Sequence, residues 1–88
     1  MTQGPYCLIV FDSTHAAIAA ERLLKALNPA VMPTLRAITA SCGMSLRLKP
    51  EQTEEAQVLL AKSTLDPVLY RFYRIEQEGA ETSCTLLT

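Results

Sequence analysis

The chain has 88 residues, 49% of them hydrophobic, with eight basic and nine acidic side chains for a net charge of −1. That length allows one small domain with one core, and that composition excludes wholesale disorder. The charge balance argues against a nucleic acid as partner, since affinity for a phosphate backbone is mainly electrostatic.

Cys7, Cys42 and Cys84 form an odd set with neither a Cys-x-x-Cys pair nor metal-ligand spacing. Such a set fits a reducing compartment better than a disulfide scaffold, and it offers no metal site. The leading Met-Thr-Gln-Gly-Pro carries no positive charge. The apolar run after it is too short for a signal peptide's core or a membrane span. The expectation is a cytoplasmic protein with no membrane association and no cofactor. So small a core also makes a homodimer a fair expectation.

Tyr6-Cys-Leu-Ile-Val-Phe11 is a continuous apolar run, as in a central strand covered on both faces. Cys7 inside it reads as a small buried hydrophobe with an inert thiol. Asp12-Ser13-Thr14 stops the strand and offers side-chain oxygens to the unpaired amides of a first helical turn. A helix is predicted over 15–27, with Ala16, Ala20, Leu23 and Leu27 in one apolar stripe flanked by Ala17 and Leu24. Asn28-Pro29 ends it, because proline disfavours helical geometry in the residue before it. His15, the only histidine, sits in the first turn. It reads either as a surface residue or as a base beside a strand-to-helix junction.

Ala30 to Leu35 reads as a second strand, placed at a sheet edge because Pro33 cannot donate to a ladder. Arg36-Ala-Ile-Thr-Ala-Ser41 has weak strand character, and Cys42-Gly43 closes it. Gly43 could supply positive φ or leave room beside the thiol. Met44-Ser-Leu-Arg-Leu-Lys49 alternates, with Met44, Leu46 and Leu48 inward and Ser45, Arg47 and Lys49 outward. Pro50-Glu51 opens a second helix, whose inward stripe is Ala56, Leu59, Leu60 and Ser63. Val68 to Ile75 reads as a fourth strand. Residues 76–88 read as a polar tail behind a single domain of residues 1–75.

The order is β-α-β-β-α-β. With right-handed crossovers it predicts an α+β, ferredoxin-like sandwich: a four-stranded antiparallel sheet with two helices on one face. That architecture hosts many functions, so the site must decide. An RNA-binding domain of this topology stacks bases on aromatics of its central strands, and Met44 to Lys49 contains none. A heavy-metal carrier of this topology needs paired cysteines where this chain has Asp12-Ser13-Thr14-His15.

Cys42 is better placed for chemistry. A partly exposed thiol becomes nucleophilic when a cation or backbone amides stabilise its thiolate. Around Cys42 the sequence offers Gly43, the hydroxyls of Thr39 and Ser41, and the guanidinium of Arg36. On spacing alone, a carrier thiol and a small residue packed at a turn are equally good readings.

Two stretches carry a family resemblance. Phe11-Asp-Ser-Thr-His15, followed by an alanine-rich helix with Ala20-Glu21 and Leu24-Lys25, is one. Pro33-x-x-Arg36-x-Ile38-x-x-Ser41-Cys42-Gly43-Met-Ser-Leu-Arg47, running into Pro50-Glu51, is the other. Together they resemble the selenium/sulfur carrier-like family, formerly a domain of unknown function, over roughly residues 6 to 75. The Asn28-Pro29-Ala30 connection, the basic fourth strand and the tail with Cys84 depart from that pattern. The resemblance implies a small thiol carrier of sulfur or selenium metabolism rather than an independent enzyme. Cys42 would take the carrier position, with Gly43, Ser41, Arg36, Ser13, Thr14 and His15 around it. Donor and acceptor proteins for the sulfur or selenium would be its partners. The competing reading is a non-catalytic module of the same fold, binding a small ligand or a protein.

Overall fold

A computed structural model of the chain describes residues 5–35, 38 and 43–87. The apolar run Tyr6–Phe11 forms β1, buried along its whole length. A strand with no polar side can only sit inside a sheet covered on both faces. β1 is accordingly the middle strand. Ser13 caps the helix α1 (Thr14–Leu23), and a 3-10 turn, Lys25–Leu27, extends it. The sheet continues with β2 (Ala30–Pro33) and β3 (Met44–Leu48). A 3-10 turn, Pro50–Gln52, leads into α2 (Thr53–Ala61). A last 3-10 turn, Pro67–Leu69, leads into the hairpin of β4 (Tyr70–Glu78) and β5 (Glu81–Leu86).

The strands pair antiparallel in the order β2-β3-β1-β4-β5. The protein is therefore α+β, with two helices and an open antiparallel sheet. The sheet has five strands, where four were expected. The stretch expected as a polar tail, residues 76–88, instead supplies the end of β4 and all of β5. Its two-residue turn gives Gly79 a φ of +60°, at the position where type II′ hairpin turns place glycine. The hairpin reads as a tail in sequence because its outer half is exposed on both faces, which removes the apolar alternation.

One core lies between the sheet and the helices. Ile9, Phe11, Leu46, Leu48 and Phe72 meet Ala16, Ala17, Ala20, Leu24, Ala56 and Leu60 there. The buried arc of α1 is centred on Ala20 and Leu24, so Leu24 is fully buried and Leu23 is 43% exposed. The expected stripe had these two exchanged. The alanines let α1 lie close to the strands, and the 3-10 turn then brings Leu27 back to the core. Asn28 ends the turn at φ 55°, a left-handed conformation that asparagine tolerates.

A second cluster covers the opposite face of the sheet: Tyr6, Leu8, Val10, Ile75 and Ile38, with Met32, Leu35, Tyr73 and Cys84 against it. Ser45, expected to face outward, is fully buried there. Its hydroxyl meets that of Thr34 at the start of the β2–β3 connection. β2 lies at the edge, as Pro33 implied, and its short ladder runs from Ala30↔Arg47 to Pro33↔Met44.

Leu46 is fully buried in the helix-side core. Leu46→Ala is expected to cost about 2–5 kcal/mol through lost burial and a residual cavity. Urea unfolding should show a lower midpoint with an unchanged slope.

Candidate functional site

β1 ends and the antiparallel β3 begins at the same end of the sheet, with Val10 opposite Ser45. The Asp12–His15 junction and Gly43 therefore share that end. At the junction, Ser13 Oγ accepts the Ala16 amide at 3.1 Å, the N-cap bond expected of a serine before a helix. Asp12 is held twice. Its amide donates to the Leu69 carbonyl at 2.9 Å, and its carboxylate lies 3.6 Å from the Arg71 guanidinium. That pair is half-exposed and contributes at most about 1 kcal/mol. Thr14 and His15 are exposed on the first helical turn.

The β2–β3 connection leaves from the same end, and its neck is closed by side-chain and backbone bonds. The Thr34 amide donates to the Gly43 carbonyl at 3.0 Å. The Thr34 and Ser45 hydroxyls are 2.6 Å apart. Inside the connection, the Ile38 amide donates to the Leu35 carbonyl at 3.0 Å. The Ile38 side chain is buried against Leu8 and its neighbours. Arg36, Ser41 and Cys42 lie outside the described residues, as does Thr39. Gly43 is exposed, its φ is not in the left-handed region, and an added Cβ would meet nothing within 4 Å. The positive φ anticipated for a glycine at 43 is therefore absent.

Neither Thr34–Ser45 nor the Ile38 plug was singled out from sequence. Alternation puts Ser45 opposite Leu46 but cannot say whether the opposite face is wet. Leu35 and Ile38, the two large apolar side chains of the connection, were the signal available.

The two other thiols stand in different surroundings. Cys7 is buried beneath α2 and its preceding turn, and burial pushes its pKa up, against a smaller opposing effect of a hydrogen bond with Thr53. Cys84 is half-buried on β5, paired with Ile75 against the outer cluster. At the far end of the sheet, a groove of about 500 Å³ runs past Tyr6, Asn28, Arg47, Lys49 and Gln52. Gln52 is fixed in its wall, accepting from the Lys49 amide and donating to the Leu27 carbonyl. The Arg47 guanidinium lies 4.3 Å from the centre of the Tyr6 ring. Among the described residues, no three of His, Cys, Asp and Glu are grouped to hold a metal ion. No helix there is long and apolar enough to cross a membrane.

Two outcomes test this geometry. Ser13→Ala is expected to lose about 1 kcal/mol of stability with the N-cap bond, whereas Gly43→Ala should leave thermal stability unchanged. Cys7 should also make stability fall with alkaline pH. Its folded pKa lies above the unfolded value, so its contribution is complete below the unfolded pKa and is lost as pH rises toward the folded one. Cys7→Ala should remove that part of the slope, measured by urea unfolding at neutral and alkaline pH.

No curated protein and no solved structure gives a significant match to the chain. Residues 6–70 match the model of the family described as "Putative Se/S carrier protein-like". That span holds β1 through the start of β4, including both ends of the sheet and the whole β2–β3 connection. The chain belongs to this Se/S carrier protein-like family.

Proposed function

We propose that this protein is a cytoplasmic sulfur or selenium carrier and that the Cys42 thiol holds the cargo as a transient persulfide or its selenium equivalent. The observation that supports this reading is which thiol within the family span the fold withdraws into its core. Of the two cysteines in residues 6–70, Cys7 is consumed by the core and its thiolate is disfavoured by burial. Cys84 lies beyond the span. The odd cysteine count supports a reducing compartment.

The transfer needs no outside oxidant. The Cys42 thiolate attacks the outer sulfur of a donor protein's persulfide. The new S–S bond forms as the donor's S–S bond breaks, and the donor leaves as a thiolate. An acceptor thiolate then takes the outer sulfur in the same way, returning Cys42 to its thiolate. Arg36, Ser41 and the amide at Gly43 are assigned to stabilising that thiolate. Ser13, Thr14 and His15 are assigned to the rim facing the partner proteins. The closed neck at Thr34 and Ser45 supports this assignment, because it anchors one end of the connection to the sheet end that holds the junction.

A second reading, small-ligand binding without thiol chemistry, is favoured by the groove lined by Arg47, Lys49, Asn28 and Gln52. Its cations suit a compact anion. Under that reading Cys42→Ser leaves function intact, whereas the carrier reading requires its loss.

In the native protein Cys42 should alkylate much faster than Cys7. Incubation with a cysteine desulfurase and cysteine should add roughly 32 Da to the intact mass, removable by reductant. Cys42→Ser should abolish the adduct. Labelling at Cys42 no faster than at Cys7, or an adduct that survives Cys42→Ser, contradicts the assignment.

A further inference from the structure

β5 closes one side of the sheet, and among the described residues it pairs with β4 alone. Antiparallel alternation decides which of its backbone groups that pairing uses. The Leu87 amide donates to the Phe72 carbonyl at 2.8 Å, and the two-residue turn closes on Glu78↔Glu81. Both are hydrogen-bonded positions, so residues 81, 83, 85 and 87 turn their N–H and C=O groups toward β4. The same groups of Thr82, Cys84 and Leu86 point away, along the outer edge.

Natural sheets blunt such edges with proline, lysine, bulges or short strands. β2, at the other edge, has four residues and ends in Pro33. β5, Glu81-Thr-Ser-Cys-Thr-Leu86, has no proline and no lysine, and its one charge lies at its first residue. Leu86 and Leu87 are exposed by 55% and 41%.

We propose that two copies of the chain associate through β5, antiparallel about a twofold axis at Cys84, joining two sheets into one. The strand is complementary to itself in that register. Thr82 stands opposite the partner's Leu86, Cys84 opposite the partner's Cys84, and Ser83 opposite the partner's Thr85. Glu81 meets the partner's Leu87, so no carboxylate faces another. Sliding the register toward the hairpin turn brings the Glu81 carboxylates of the two copies closer together, which is unfavourable. Sliding it the other way shortens the ladder. The pairing satisfies the outward amides and carbonyls and covers the two exposed leucines. The carrier chemistry is not involved, because Cys42 takes no part.

The test is the molar mass of the full chain by sedimentation equilibrium, in reductant so that no disulfide contributes, at tens to hundreds of micromolar. The wild type should have twice the monomer mass. Cys84→Pro removes an outward donor and leaves every donor aimed at β4 in place, so it should be a folded monomer. As a second arm, Thr82→Lys with Leu86→Lys places lysine opposite lysine and should also give a monomer. Thr82→Glu with Leu86→Lys should restore the dimer. A wild-type monomer overturns the proposal. So does a dimer that survives the lysine pair, or one that the Glu/Lys pair fails to restore.

Discussion

The requirement that β1 be dry on both faces organises this protein. Tyr6 through Phe11 has no polar side chain to turn outward. Each fully buried Leu, Ile, Val or Phe in it contributes about 1.5–3 kcal/mol relative to an exposed one. A helical layer can satisfy only one face. Ile9 and Phe11 are closed by α1 and α2, whose alanines allow close approach. Leu8 and Val10 need a second cover, and the β2–β3 connection supplies it through Leu35 and Ile38. The stretch that carries the candidate chemistry is thus tied to the sheet by the burial demands of its central strand.

This coupling fixes the described parts of the β2–β3 connection. The neck is fixed by the Thr34–Gly43 bond and the Thr34–Ser45 hydroxyl pair, and Ile38 is held within the outer cluster. The capped start of α1 shares the same sheet end because β1 and β3 are adjacent and antiparallel. A small fold that needs two layers of cover places a loop and a helix start together without dedicating further residues to the task.

The β4–β5 hairpin follows different physics. Its inner half packs on β1 and closes the sheet, with Phe72 and Ile75 buried on opposite faces. Its outer half leaves both layers behind and is held by ladder bonds and the Gly79 turn. Cys84 belongs to this hairpin and touches the outer cluster from its edge. The two described thiols therefore have different environments: Cys7 lies inside the core and Cys84 on an edge strand.

Local sequence by itself determined β1, a capped helix start within Asp12-Ser13-Thr14, the end of the first helix near Asn28, the edge position of β2 and the inward set Met44, Leu46 and Leu48. Each follows from a period, a cap or a missing donor that short-range stereochemistry dictates. The motifs around Cys42 and His15 also sufficed to point to the family. Tertiary structure decided the rest. It selected Leu24 over Leu23, since both lie near one helical stripe and only the position of the sheet distinguishes them. It buried Ser45, because alternation separates two faces but does not reveal that the connection preceding β3 folds back over the second. It made a strand of the polar run after Glu76, because ladder bonds to β4, unlike apolar burial, leave no pattern in the side chains.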